Sequence, residues 1–486
     1  MEPESIDKPY YRDVPPIPTT EGLRLRSPIG RGVLAATILG SGMTFLDSTV
    51  ANIASDHIGH EFHAGIASLQ WVVNAYTLVL AALILLGGSL GDRFGRRRVF
   101  VVGTCWFAVA SLGCAVAPGI GWLIALRAVQ GIGAALMMPG SLAILSAVFV
   151  VRDRGAAVGA WSGLTGVASA AGPLLGGWLV QDYSWRWAFA INVPVAVAVV
   201  ALALRYVPET RSAEVRRPDA PGIVTVALAL GALSYGTTEA GNGWTARAIA
   251  LTVAGVLLAV AFVFVERGRR HPLVPLRLFA NRAFSGVVTM TFLAWGAQGV
   301  FSFVFVLDLQ VAAGYGALRA GLATLPITIL LLLFSARGGR LAARIGPRTP
   351  IVAGSLVAAA GMALLLRVDA AHRDYWTDVL PGVLVLAIGM TTVVAPVTAA
   401  TMEAAPSDQV GIASGISNAV ARAGALLMIA TLPALAGLRG HVYRDAAAMT
   451  HGYRIVMLAC AGLFVVSAGL VAATVGPRPA ADPTRD

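Results

Sequence analysis

Residues 87–98, GGSLGDRFGRRR, place four glycines, one acid and four arginines between two apolar runs, 68–88 and 99–117. Each run is about as long as the roughly 20 helical residues that cross a hydrocarbon core. Inside lipid every backbone N–H and C=O must pair within its own segment, so both runs have to be helices. The short charged stretch between them is then the tip of a tight helical hairpin held at a membrane surface. Twelve further runs of this kind occur near 30–52, 121–147, 156–180, 186–206, 221–240, 246–265, 283–309, 320–338, 349–367, 378–401, 411–436 and 453–475. The chain therefore reads as an all-α membrane protein of about fourteen spans.

Composition agrees and removes the main competitors. With 57% hydrophobic and 13% charged residues and a mean hydropathy of +0.75, a soluble protein of this size would lack a polar surface. The formal charge of +11 invites a nucleic-acid partner, yet the basic residues form no patch on a polar domain. They fall in the connections between apolar runs. Of 36 Lys and Arg, 26 lie on the side that carries the N-terminal tail and the 87–98 tip, eight on the other, and Arg127 and Arg422 within spans. The positive-inside rule then puts both termini in the cytoplasm, and the inner (plasma) membrane is the expected location. Cys105, Cys114 and Cys460 all lie in apolar runs without metal-ligand spacing, so neither a disulfide scaffold nor a metal site is expected. Residues 1–28 and 477–486 read as cytoplasmic tails, and 1–28, with acids and prolines, is not a signal peptide.

An internal repeat supplies the organisation. GGRLAARIGPR at 338–348 matches GGSLGDRFGRR at 87–97 with an offset of 251, and Asp92 becomes Ala343. Gly159, Ser162, Gly163 and Gly172 echo in Gly411, Ser414, Gly415 and Gly424. Two six-helix halves, 29–207 and 283–476, are expected, with two extra helices in the linker 208–282. Parallel repeats of this sort build carriers that hold substrate between the halves near the midplane. No Walker motif is present, so ATP is not the expected energy source. No cofactor and no clustered catalytic set is visible, which points away from an enzyme.

The residues themselves resemble a known family. GGSLGDRFGRRR, RAVQGIGAA at 127–135, GLTGVASAAGPLLGG at 163–177, FLDSTVANIA at 45–54 and WRWAFAINVP at 185–194 are similar, in that order, to motifs of the major facilitator superfamily. They look most like its drug:proton antiporters with fourteen spans. One departure lies at the end of span 1, where relatives continue Ala-Leu-Pro and this chain has Ala54, Ser55 and Asp56. The resemblance implies proton-coupled efflux of small amphipathic or cationic compounds by alternating access, from a monomer whose partners are a small-molecule substrate, protons and the bilayer. Export of a lipid or endogenous metabolite, and a non-transporting receptor or scaffold, stand as alternatives.

Asp47 lies well inside the first apolar run, where a carboxylate costs a few kcal/mol and marks a functional site by default. A proton and a cationic substrate would compete for it. A structural salt bridge is the competing reading. Arg127 lies at similar depth from the same side, given a rise of about 1.5 Å per residue. The resemblance implies that it shares in proton coupling, although bonding to backbone carbonyls would also account for it. Arg422, a buried cation whose repeat counterpart is Ala170, with Asn418 one turn before it, is assigned to the central cavity. Trp71, Asn74 and Tyr76 on span 2 and Gln298, Asp308 and Gln310 on span 9 are further candidates for the path, although Trp and Tyr also anchor at interfaces. Asp308 can equally be a solvated residue near the outer end. Gly88, Asp92, Arg93, Gly95 and Arg96 form a candidate conformational gate, while Arg97 and Arg98 read as positive-inside anchors. Gly163, Gly172, Pro173, Gly176 and Gly177 carry the antiporter motif, either as a seal against leak or as a structural kink. His57, His60 and His63 are expected in a solvated loop.

Overall fold

The computed structural model describes residues 22–211, 219–241, 243–269, 272–369, 371–406, 409–441 and 444–476. Fifteen α-helices occur among them. The first half holds α1 (Pro28–Glu61), α2 (Ile66–Phe94), α3 (Arg96–Ala115), α4 (Ile120–Val148), α5 (Val151–Asp182), α6 (Trp185–Ala190) and α7 (Asn192–Tyr206). Helices α8 (Ala220–Ala240) and α9 (Ala246–Arg267) follow. The second half holds α10 (Arg282–Val311), α11 (Ala317–Ile345), α12 (Arg348–Leu364), α13 (Leu380–Glu403), α14 (Val410–Leu435) and α15 (Ala446–Thr474). Helices α6 and α7, broken at Ile191, share one crossing, so fourteen segments are long and apolar enough to span.

Most helices outrun the apolar stretches that announce them. Hydropathy marks only the part that sits in hydrocarbon, whereas helical hydrogen bonds continue into the interface. Helix α1 starts where Ser27 caps the N–H of Gly30 ahead of Pro28, and it runs on to Glu61. His57 and His60 therefore lie on its last turns and not in a loop, with His60 placed 3.5 Å from Asp56. The tail expected over 1–28 lies outside the described residues up to 21, as does the tail 477–486. Residues 22–27 are anchored: Leu23 pairs with the chain at Val148 and Val150, and Leu25 N–H donates to Asp153 at 2.9 Å.

The repeat is carried by matching contacts. A Cβ at Gly87 would collide with the Ala135 carbonyl of α4, and one at Gly338 would stand 2.5 Å from the Thr391 carbonyl of α13. Both hairpin tips turn at a glycine with positive φ, Gly95 at +111° and Gly346 at +84°, where a side chain would be strained. Helices α2 and α3 pack on α4 as α11 and α12 pack on α13, and α1 packs on α5 as α10 packs on α14. The fold is two six-helix repeats with two extra helices. The halves meet through α5 against α11 and α2 against α14; α8 lies along that seam and α9 lies outside α8.

The molecule has a tip end, carrying Gly95 and Gly346, and an opposite, far end. Hydrogen bonds between the halves gather toward the far end. Gln70 donates to Ile429 O (2.6 Å), Asn74 to Leu426 O (3.3 Å), Gln310 to Ile53 O (3.2 Å) and Arg444 to Gly59 O (2.6 Å). One apolar cluster runs unbroken from Val50, Ile53 and Leu69 in the first half to Phe301, Val383 and Tyr453 in the second. Toward the tip end the first-half glycines Gly155, Gly159 and Gly163 have open space beside them. These bonds and the shared cluster close the halves together at the far end.

Candidate functional site

Five buried polar residues from four helices converge inside the first half: Asp47 (α1), Ser111 (α3), Arg127 and Gln130 (α4), and Asn192 at the start of α7. Arg127 Nη1 donates to Asp47 Oδ2 and to Gln130 Oε1, and its Nε donates to the Val72 carbonyl at 2.9 Å. Asp47 Oδ1 accepts from Gln130 Nε2 (2.9 Å) and from Asn192 Nδ2 (3.0 Å), and both amides also reach Ser111 Oγ (2.6 and 3.0 Å). The guanidinium lies 4.5 Å from the Tyr76 ring centre and 5.5 Å from that of Phe189, a cation–π cage on an otherwise dry charge. The similar depth of the acid and the base thus becomes a direct ion pair, with neither side chain exposed. With the carboxylate held by one cation and two amides, a change in its charge would disturb the bonds of the other four groups. Ser111 and Asn192 were not distinguished in the sequence. Asn192 had a signal, a polar residue opening a helix inside an apolar run; Ser111 had none.

Several residues expected along a substrate cavity lie elsewhere. Asp47 and Tyr76 are sealed within the first half, because α1, α3, α4 and α7 close around the ion pair. Asn74 is in the seam, and Trp71 packs on Tyr235 of the inserted α8 (ring centres 5.6 Å apart), a neighbour that no repeat pattern announces. Among the described residues Gln298 donates along its own helix, to Ser302 at 3.5 Å. Asn418 does line a small tip-side cavity, with Thr291, Trp295, Thr398, Ser414 and Ser417. Arg422 is half-buried at mid-depth and reaches Met138 Sδ of the other half at 3.1 Å, with no carboxylate partner among the described residues. Asp308, which could have been solvated, is completely buried and neither carboxyl oxygen finds a hydrogen-bond partner there.

At the hairpin tip Asp92 pairs with Arg96 (2.8 Å), and Arg96 also reaches the Ala143 carbonyl of α4 (3.3 Å). Arg93 stacks over Phe94 at 5.2 Å. Gly88 stands in ordinary contact with Pro139, and the tight approach belongs to Gly87 beside it. Arg97 and Arg98 are more than anchors. Their backbone N–H groups donate to the two carboxyl oxygens of Glu209 (3.1 and 3.2 Å), and their side chains stand 3.7 and 3.8 Å from it. Glu209 caps α3 at the turn that Gly95 makes, a contact between residues 112 apart that local pattern cannot reveal. In α5, Gly172 and Gly176 seat against Thr49 and Val50 of α1. Gly177 lies where a Cβ would be 2.6 Å from Leu318 Cα of α11, with Gly321 equally close to the Pro173 carbonyl. The motif residues Gly172 to Gly177 are packed against α1 and across the seam, whereas Gly163 faces open space.

A family profile described as Major Facilitator Superfamily matches residues 37–429. The chain belongs to the Major Facilitator Superfamily. Among its relatives, the puromycin resistance protein pur8 of Streptomyces alboniger is 35% identical over 468 residues, covering 93% of this chain and 92% of that one. The multidrug resistance protein Stp of Mycobacterium tuberculosis is 34% identical over 403 residues, covering 82% and 74%. Among solved structures, a bacterial homologue of the human lysosomal transporter Spinster, in an inward-facing and unoccupied conformation, superposes with a TM-score of 0.65 at 17% identity, covering 92% of this chain and 96% of that one. Membership of the superfamily makes this a multi-pass membrane transporter.

Proposed function

We propose that the chain is a proton-coupled antiporter that exports small amphipathic or cationic compounds, antibiotics among them, from the cytoplasm. It sits as a monomer in the plasma membrane with both termini and the hairpin tip inside, and the halves 29–207 and 283–476 rock about the seam. The observation that carries this reading is the sealed Asp47–Arg127 pair in a molecule closed at the far end. Relatives named for puromycin and multidrug resistance support the substrate class.

In this reading the tip-open state is the loading state, with Asp47 ionised and held by Arg127, Gln130 and Asn192. Once the loaded halves have switched to open at the far end, a proton arriving from outside neutralises Asp47 and breaks its pair with Arg127. The freed guanidinium rearranges α1 against α4 and α7, and substrate leaves. Loss of the proton to the cytoplasm restores the pair and the loading state. Because Asp47 is enclosed, it acts through that rearrangement and not by touching substrate; Asn418, on the tip-side cavity, and Arg422, which reaches Met138 of the first half, are the proposed substrate contacts. Asp92 and Arg96 gate the tip.

Proteoliposomes containing Asp47→Asn, under an imposed proton gradient, test the mechanism. Gradient-driven drug transport should fall to the level of protein-free vesicles while membrane insertion is retained. Normal coupled transport by this variant would refute it.

A further inference from the structure

At the far end of the second half, a groove of about 920 Å³ opens between the start of α11 and the segment leading into α13. No residue of the first half lines it, so it is not part of the seam. Its rim carries two exposed guanidinium groups, Arg319 and Arg373, neither in an ion pair among the described residues. The acid beside them, Asp374, turns its carboxylate into the helix start, accepting from the N–H groups of Trp376 (2.9 Å) and Thr377 (3.0 Å). Asp378, which does not line the groove, accepts from the Asp374 N–H at 2.9 Å, so both nearby acids are engaged at the helix start and the two guanidinium groups are the charges left facing the groove.

The wall below is apolar: Leu322, Leu325 and Ile329 follow Arg319 along α11. Arg319 to Ile329 is ten residues of helix, about 15 Å at 1.5 Å per residue, which is half of a hydrocarbon core about 30 Å thick. The spanning segments on either side begin at Ala317 and Tyr375, so the two arginines stand at the level where lipid headgroups lie. Trp376, 72% exposed, sits at that level too, as interfacial tryptophans do. The Tyr315 hydroxyl donates to the Arg373 carbonyl at 2.6 Å and fixes the loop to the start of α11.

We infer that this groove binds one anionic phospholipid of the far-end leaflet, its phosphate between Arg319 and Arg373 and an acyl chain along Leu322, Leu325 and Ile329. Two guanidinium groups at one end and one leaflet of apolar wall at the other fit an amphiphile better than a free anion. The inference does not depend on what the protein exports.

Native mass spectrometry of the delipidated full-length protein tests it, with titrations of phosphatidylglycerol, phosphatidylcholine and inorganic phosphate. One phosphatidylglycerol should bind at least tenfold more tightly than phosphatidylcholine. The double variant Arg319→Gln/Arg373→Gln should lose about 30-fold, which is about 1 kcal/mol per arginine. Leu322→Trp, which fills the acyl end and leaves both charges in place, should weaken phosphatidylglycerol as well. Arg277→Gln/Arg282→Gln, at the other end of the molecule, should change nothing. Phosphatidylcholine bound as tightly, or phosphatidylglycerol undiminished in the folded double variant, overturns the inference. So does inorganic phosphate bound as tightly as the lipid. Should the double variant fail to fold, unweakened binding by Leu322→Trp overturns it alone.

Discussion

Asp47 and Arg127 stand 80 residues apart and share one desolvated pair, so each is costly without the other. Removing one partner of a buried pair destabilises by about 3–5 kcal/mol, because the remaining charge has no water to turn to. Arg127→Gln should therefore lower the thermal midpoint in detergent sharply, and Asp47→Asn/Arg127→Gln should recover part of that loss. A double variant as unstable as the sum of the singles would show that the pair is not the unit. Asp308 presents the opposite case, a carboxyl with neither oxygen bonded among the described residues, on a helix packed near Tyr453 and Arg454, the latter paired to Asp369 at 2.8 Å. Since an unpartnered buried polar group costs about 1–3 kcal/mol and a charge more, Asp308→Leu should fold and raise the thermal midpoint. A lower midpoint would mean that Asp308 makes a stabilising contact. The residue types of both acids were visible in the chain; their opposite environments were not, because enclosure depends on which helix comes to lie beside them.

At the scale of elements, the hairpin tips show how much a local pattern can say. Glycine, arginine and glycine at matching offsets mark both turns, and both turns do have positive φ at their last glycine. Which glycine permits close packing is settled by the neighbouring helix: Gly87 lies against the backbone of α4, while Gly88 meets only Pro139. Gly87→Val should therefore abolish folded protein on size-exclusion chromatography, with Gly88→Val costing much less. Glu209 belongs to the same element only in three dimensions. Replacing it by alanine removes two acceptors from the start of α3 and should cost about 1–2 kcal/mol, read as a lower unfolding midpoint. An unchanged midpoint would mean that water replaces both bonds.

For the whole molecule, the closed far end makes a test of movement. Gln181 Oε1 accepts from the Leu318 N–H across the seam at 3.3 Å, and Gly177 allows that approach. A short bis-thiol crosslinker joining Gln181→Cys to Leu318→Cys, in a background free of Cys105, Cys114 and Cys460, should stop turnover, and cleaving the link should restore it. Transport at the uncrosslinked rate would rule out rocking about this seam. Fourteen spans, two repeats and the family could be read from the chain, since lipid obliges each apolar run of about 20 residues to satisfy its own backbone as a helix. That obligation is local, so it leaves clear marks in sequence. The enclosure of Asp47, the removal of Trp71 to the face of α8 and the choice of which end is shut all depend on the mutual placement of helices far apart in the chain. Between such helices small differences in side-chain packing decide the outcome, and those differences exist only once the helices have met.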